Sequence, residues 1–503
     1  MTQSGWLNVL ARLLLKRWNY RMYLGLDLGT SGVKALLIDD AQAVIAQGHA
    51  ALTVQRPRPN WSEQDPQSWI AATQAAIHEL RQSAPRAFAD LKAIGVSGQM
   101  HGATLLDEND RPLRPAILWN DGRAEAECRA LENRADFRGI AGNIVMAGFT
   151  APKLEWVRQH EPEVFAKTRK VLLPKDYIGF WLTGRHMSEM SDAAGTLWLD
   201  VARREWSDSL LAATGLSSAH MPDLVEGSEQ AGVLRAELAT EWGVGTVCVA
   251  GGAGDNAATA CGLGLTSPGD AFLSIGTSGV LFTTTDQFAA NTEKAVHSFC
   301  HAVPDTWHQM GVILSAADSL NWLSQITGQS AKQLTDLVED SPTAPSPVTF
   351  LPYLSGERTP HNAPNATASF LGLKRQHGLV ELTQAVLEGV AFALNDCRQA
   401  IEARGPSLSS AWVVGGGSQS VAWLNIIAAA TGLTLKVPES GAQGAALGAA
   451  RLAMASTGCQ DVFAKPVAAS VIQANGPLKE LYKDRKSYFE ALAPVALGSN
   501  GYS

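Results

Sequence analysis

Residues 24–40 read LGLDLGTSGVKALLIDD. Apolar residues run up to a small-residue turn, Gly29-Thr30-Ser31-Gly32, and resume from Val33 to Ile38. The pattern predicts a β-hairpin built to sit in a core. Asp27 is the anomaly, a carboxylate on a buried strand just before its turn. Residues 275–280, IGTSGV, repeat the turn almost unchanged, but Ser274 stands where the first copy has Asp27. One device is present twice and charged once. Backbone N–H groups in such turns form nests for anions, so two hairpins facing each other across a cleft can hold a polyphosphate from opposite sides. No GxxxxGK[ST] or GxGxxG segment offers a single-loop alternative.

This suggests why Asp27 is there. It stands where a Mg²⁺ bridging ATP phosphates needs an oxygen ligand, and Lys34 follows the turn where it can meet a phosphate. The plainer alternative is an Asp that hydrogen-bonds its own turn; the hairpin alone leaves both open.

The rest of the chain supports a duplicated, layered α/β fold. Its 503 residues are too many for one core. Charged residues make up only 17% and glycines number 46, which fits large buried surfaces and many tight turns. A net charge of −8 argues against non-specific nucleic-acid binding. No apolar run reaches the roughly 18 residues of a membrane span. The six cysteines are scattered without a CxxC pair and read as reduced thiols of a cytoplasmic protein. Strands are expected at 23–28, 33–38, 43–56, 91–98 and 102–107, and helices at 66–82, 121–134 and 152–167, the first capped by Asp65-Pro66. After the second hairpin, helices are expected at 315–326, 378–404, 418–431 and 441–456, with a strand at 410–414. The expected units are an extension at 1–21, lobes at 22–267 and 268–490, and a tail at 491–503. The extension carries four basic and no acidic residues at helical spacing; it reads as an upstream addition, with a membrane-surface helix as the alternative.

Further stretches resemble a known family. DLGTSG, the paired hairpins and a late GGG turn are similar to the sugar-kinase/heat-shock/actin ATPase superfamily. GFTAPKLEWVRQH (148–160) and ASFLGLKRQHGLVELTQAVLE (368–388) resemble the two signatures of the FGGY carbohydrate kinases. SGQMHG (97–102), WNDGR (119–123), SDAAGT (191–196), GGAGDN (251–256) and FLPYLSGERTPH (350–361) look like the branch that acts on D-xylulose. Glycerol kinases, by contrast, carry an Arg-Glu pair in place of Met100-His101. The resemblance implies two actin-like, ribonuclease H-like domains around a nucleotide and sugar cleft, and ATP- and Mg²⁺-dependent phosphorylation of D-xylulose on its 5-hydroxyl. It implies Asp255 as general base, Asn256, Met100 and His101 as sugar contacts, and Asp27 beside Mg²⁺ and the γ-phosphate. Thr30 and Ser31 match the first phosphate loop, Gly276 and Thr277 the second, and Gly416 and Gly417 the adenine side. A homodimer is left open. Another ketose or polyol kinase, or a silent sugar sensor on the same fold, are the alternatives.

Each residue also has a plainer reading. Phosphoryl transfer asks mainly for positioning and charge stabilisation, and a carboxylate within hydrogen-bond reach suffices as base. Asp255 fits, but Asp before NAATACGLG is also an ordinary helix N-cap. His101 reads as substrate-orienting rather than as a second base. Lys153 and Trp156, three apart on a helix, suggest Lys reaching outward and Trp packing inward. Arg358 and His361 are read either as closing over the cleft or as partners in a loop ion pair. HSFCHAVPDTWH (297–308) invites a metal, but strand alternation turns neighbouring side chains to opposite faces. Gly441, Gly444 and Gly448 suggest a smooth face for close helix packing.

Overall fold

The computed structural model describes residues 21–340, 342–439 and 444–498. The basic segment before residue 21 and Gly441 lie outside the described residues. Two seven-stranded sheets organise the chain. The first contains β1 (Met22–Leu28), β2 (Gly32–Ile38), β3 (Val44–Ala51), β4 (Leu91–Gly98), β5 (Gln230–Val233), β6 (Cys248–Ala250) and β7 (Ala253–Gly254). Its order is β5-β6-β4-β1-β2-β3, with β7 alongside β4. The second contains β8 (Ala271–Ile275), β9 (Gly279–Thr285), β10 (His297–Cys300), β11 (Trp307–Ile313), β12 (Ser410–Val414), β13 (Thr434–Pro438) and β14 (Ala468–Ile472), in the order β10-β11-β9-β8-β12-β13-β14.

The two sheets share a plan. Each opens with an antiparallel hairpin, adds a third antiparallel strand on one side, and continues with parallel strands on the other. This is the mixed α/β duplication expected from the two copies of GTSG. Parallel strands buried on both faces need helices above and below. In the first lobe, α1 (Pro66–Ser83), capped by Asp65 through the Gln67 amide, packs Trp69, Ala76 and Leu80 against Leu24 and Leu26.

The opposite face is covered from the other half of the chain. Helix α8 (Gly444–Ser456) lies across β1 and β4, where Gly25 and Gly95 are register partners. A Cβ on Gly25 would stand 1.9 Å from the Ala446 carbonyl oxygen, and one on Gly95 2.0 Å from that of Ala449. α8 also crosses α4 (Asp255–Gly262) backbone to backbone, since a Cβ on Gly448 would stand 1.7 Å from Ala258 O. The division at residue 267 is therefore interleaved in space: α8 belongs by sequence to the second lobe and by packing to the first. Small side chains make that approach possible.

The first residues of the expected tail, 491–496, continue a helix of the second lobe, with Ala493 and Ala496 buried. Helix α9 (Gly476–Ala496) runs well past residue 491 and docks on α6 (Leu379–Glu402). Tyr482 donates to Glu388 at 2.9 Å, Lys486 pairs with Asp396, and Phe489 is fully buried. All six cysteines are free, and no described helix is long and apolar enough to cross a membrane.

Candidate active site

The first hairpin carries its carboxylate at the head of the site. Asp27 lies opposite Lys34 in β2 and level with Ser97 in β4, whose hydroxyl donates to Asp27 Oδ1 at 2.7 Å. The turn closes through the Gly29 amide onto Gly32 O, 2.9 Å, and among the described residues Asp27 accepts from Ser97 rather than from its own turn. Burial raises its pKa, opposed by the Ser97 hydrogen bond and the Lys34 charge. Among the described residues the amides of Thr30 and Ser31 have no hydrogen-bond partner. The Thr30 hydroxyl donates to Gln99 at 2.8 Å and accepts from the Trp119 indole at 3.0 Å, while Gln64 donates to Thr30 O at 2.8 Å. The turn is thus fixed from beneath with its amides left available, as an anion nest requires.

The second hairpin differs in detail. Gly276 turns its amide onto Ser278 O at 3.1 Å, so it offers no donor, whereas the amides of Thr277 and Ser278 have no partner among the described residues. The Gly276 and Thr277 carbonyls accept from Ala317 and Ala316, both at 2.8 Å. This ties the turn to the start of α5 (Ala317–Thr327). Ala317, Leu320 and Asn321 of α5 line a cavity of about 640 Å³, with Gly416, Gly417 and Trp423 on another side. That volume suits a nucleoside-sized ligand. Thr30, Ser31, Gly276 and Thr277 do not line it.

Asp255 is the first residue of α4, and its N-cap is Gly254, not Asp255. Its Oδ1 accepts from the Asn256 amide at 2.7 Å and from Asn256 Nδ2 at 2.9 Å, which orients the carboxylate and leaves Oδ2 free of partners among the described residues. The Asn256 side chain is therefore committed to Asp255 through its NH₂, and its Oδ1 remains for a ligand. Burial, and then the charge on Asp27, push Asp255 up to about 7. The two carboxylates, far apart in sequence, share one electrostatic site. No three described His, Cys, Asp or Glu side chains cluster to hold a metal. One or two carboxylate oxygens, with phosphates and water completing the shell, match how Mg²⁺ is usually bound, so the Asp27 carboxylate beside the first turn fits a divalent cation.

Met100 and His101 extend the site from β4. Met100 lies against the backbone of Gly254 and Gly195, where added Cβ atoms would stand 3.0 Å from its Cγ and 2.9 Å from its Cε. His101 has left-handed backbone geometry, φ 68°. Its Nδ1 is 2.6 Å from Gly195 O. A carbonyl only accepts, so Nδ1 carries the proton and Nε2 is an acceptor. Burial, then the Lys153 charge, push its pKa down to about 3, which removes it as a base near neutral pH. SDAAGT gains a role here: Ser191 Oγ accepts from the Gly254 amide at 3.1 Å, and Gly195 O holds His101.

Lys153 corrects the sequence reading. It does not reach outward; it is fully buried and donates to His101 O at 2.8 Å and Gly148 O at 2.6 Å. Burial pushes its pKa down to about 7. Trp156 does pack inward, edge-on to Trp61 and stacked on His160. The histidines of 297–308 are buried among aromatic rings: His297 stacks on Phe299 and His308 on Phe282. Lys153, Ser97 and Gln99 were missed as site residues. All three lie inside quoted motifs, so motif membership was the available signal, but periodicity carries no information on which backbone carbonyl a buried Lys will find.

Comparison with known proteins assigns the chain to a family. The model of the FGGY family of carbohydrate kinases matches in its N-terminal domain over residues 22–262 and in its C-terminal domain over 271–457. The xylulose kinase of Escherichia coli (strain K12) is 52% identical over 434 residues, covering 86% of this chain and 89% of the relative. The xylulose kinase of Bacillus subtilis (strain 168) is 37% identical over 479 residues, covering 92% and 96%. The crystal structure of a xyloylose kinase from Brucella ovis superposes with a TM-score of 0.93 at 54% identity, covering 95% of this chain and all of that one. The chain belongs to the FGGY family of carbohydrate kinases, enzymes that phosphorylate a sugar with ATP as donor.

Proposed function

We propose that the chain phosphorylates D-xylulose on its 5-hydroxyl with Asp255 as the general base. The observation that carries this reading is that Asp255, with Oδ2 free among the described residues, feels the charge of Asp27 and directly follows Gly254, against which Met100 lies. A hydroxyl resting on Met100 and facing Asp255 Oδ2 then points toward the phosphate end of the cleft. The relatives named xylulose kinase support the choice of sugar.

In this reading Asp255 Oδ2 accepts the proton of the attacking hydroxyl while Asn256 keeps Oδ1 in place. His101, held neutral, accepts a hydrogen bond from a sugar hydroxyl at Nε2. The Thr30, Ser31, Thr277 and Ser278 amides contact phosphate oxygens from two sides, and the cavity beside Gly416 and Gly417 takes the adenine. Asp27 would hold Mg²⁺, which when bound supplies charge neutralisation on the phosphates. Lobe closure would exclude the water that otherwise accepts the phosphoryl group.

A coupled ADP-release assay with Mg·ATP across D-xylulose, D-ribulose, L-ribulose, glycerol, D-gluconate and no sugar tests this. A clear preference for D-xylulose is expected. Turnover with another sugar alone would overturn the reading of Met100 and His101 while keeping Asp255 as base.

A further inference from the structure

Arg358 is an unusual cation. Its guanidinium is drawn into the protein, and burial lowers its pKa despite the nearby Glu357. No carboxylate forms an ion pair with it among the described residues. Glu357 Oε1 instead accepts from the backbone amides of Leu314, at 3.1 Å, and of Arg358 itself, at 2.7 Å. Among the described residues the one side-chain hydrogen-bond partner of the guanidinium is His297 Nε2, at 3.3 Å. That contact is oriented by a relay. Asn143 donates its NH₂ to Ala141 O and Ser298 O, both at 2.9 Å, which turns its Oδ1 toward His297 Nδ1, also at 2.9 Å. His297 therefore carries its proton on Nδ1 and accepts from Arg358 on Nε2. The relay spans both lobes, with Asn143 from the first and His297 and Arg358 from the second.

A half-buried guanidinium with one neutral side-chain acceptor and no ion pair among the described residues is better satisfied when a ligand supplies acceptors. Its place in the site says which ligand. Asp255 bears the influence of Asp27, whereas His101 bears that of Lys153 and Arg358. Met100 lies between, against Gly254 on the Asp255 side and Gly195 on the His101 side. Phe149 packs edge-on to both His101 and His297, with ring centroids 4.7 and 5.6 Å apart, which brings Arg358, bonded to His297, to the His101 side of the site. A five-carbon sugar laid along Met100 with its 5-hydroxyl at Asp255 brings its C1–C2 end to His101 and Arg358. Arg is donor-only and His101 Nε2 is an acceptor, so a keto oxygen matches Arg358 and a neighbouring hydroxyl matches His101.

We propose that Arg358 is a sugar-binding residue contributed by the second lobe, donating to the keto end of the substrate opposite the phosphorylated end. This rests on the reading of the site given under Proposed function. It also gives the sugar a direct contact with each lobe, so binding the sugar draws them together.

The test compares the parent enzyme with Arg358→Met and Arg358→Lys. Turnover of D-xylulose by the parent is the control: its absence sinks the assignment of the sugar and not the arginine alone. With the parent active, Arg358→Met should raise KM for D-xylulose and weaken D-xylulose binding without nucleotide, read by calorimetry, by about 10–100-fold, the worth of a hydrogen bond to a charged group. ADP affinity should be unchanged, and Arg358→Lys, which keeps a donor cation, should recover part of the loss. An unchanged sugar affinity in Arg358→Met would overturn the proposal. So would equal losses for sugar and ADP, because they would mark Arg358 as a residue of general folding.

Discussion

The charge of Asp27 acts on Asp255: burial first, and then Asp27, push the Asp255 carboxyl up to about 7 from the ordinary 3.8. A group whose folded pKa is raised binds its proton more tightly folded than unfolded. Its stabilising contribution is complete below pH 3.8 and is lost as pH rises to about 7. Asp255→Asn cannot ionise and escapes that loss. The ligand-free variant is therefore expected to melt above the parent at pH 8, by roughly 2–4 °C per kcal/mol relieved, with the gap closing toward pH 4. Thermal melts at the two pH values check this, and a gap independent of pH would contradict it. Asp255→Ala should lower kcat by about 10²–10⁴-fold, the usual worth of a general base, with ADP binding retained.

Asp27→Asn removes the second charge of the pair. The carboxyl of Asp255 should then ionise at lower pH, and the pH-dependent part of its destabilisation should shrink. KM for Mg·ATP should rise about tenfold or more, in line with losing a charged contact, while D-xylulose binding stays within about twofold of the parent. Comparable losses for both ligands would point to a misfolded first hairpin instead.

Lys153→Met keeps the length of the side chain and removes its donors. Gly148 O then loses the ammonium and His101 O keeps only the Thr150 hydroxyl, at 3.2 Å, at a cost of about 1–3 kcal/mol for a group left unsatisfied. His101 holds a left-handed backbone conformation that non-glycine residues seldom adopt. Freed of Lys153, it should relax, raising KM for the sugar more than KM for ATP. Steady-state kinetics with each substrate varied in turn read this split.

Two glycines separate packing from ligand space. Gly448→Ala drives a methyl to 1.7 Å from a backbone oxygen of α4. Two helix backbones cannot part without opening the junction of the lobes, so a loss of at least about 1–3 kcal/mol is expected, seen as a lower Tm or insoluble protein. Gly416→Ala meets nothing within 4 Å and needs no left-handed backbone. It should leave Tm unchanged while narrowing the cavity by Gly417 and weakening ADP binding.

Local chemistry was legible in the sequence. The hairpin over 22–38, its copy at 271–285, the Asp65 cap and the long helix at 379–402 depend on residues a few positions apart, where turn glycines and apolar periodicity decide the outcome. The family motifs singled out Asp27, Met100, His101 and Asp255 as candidates. Tertiary structure alone decided the rest. Helix 444–456 lies on the sheet of the other lobe because two strand glycines and small helix residues allow backbones to touch there, and no local pattern encodes a partner about 400 residues away. Lys153 points inward because two loop carbonyls, at 101 and 148, converge on one point. The chain from 476 to 496, bare of motifs, docks through Tyr482, Lys486 and Phe489 on the helix at 379–402. Asp27 and Asp255 likewise acquire their shared electrostatics only on folding, since a Coulomb interaction depends on separation in space and burial, not on separation along the chain.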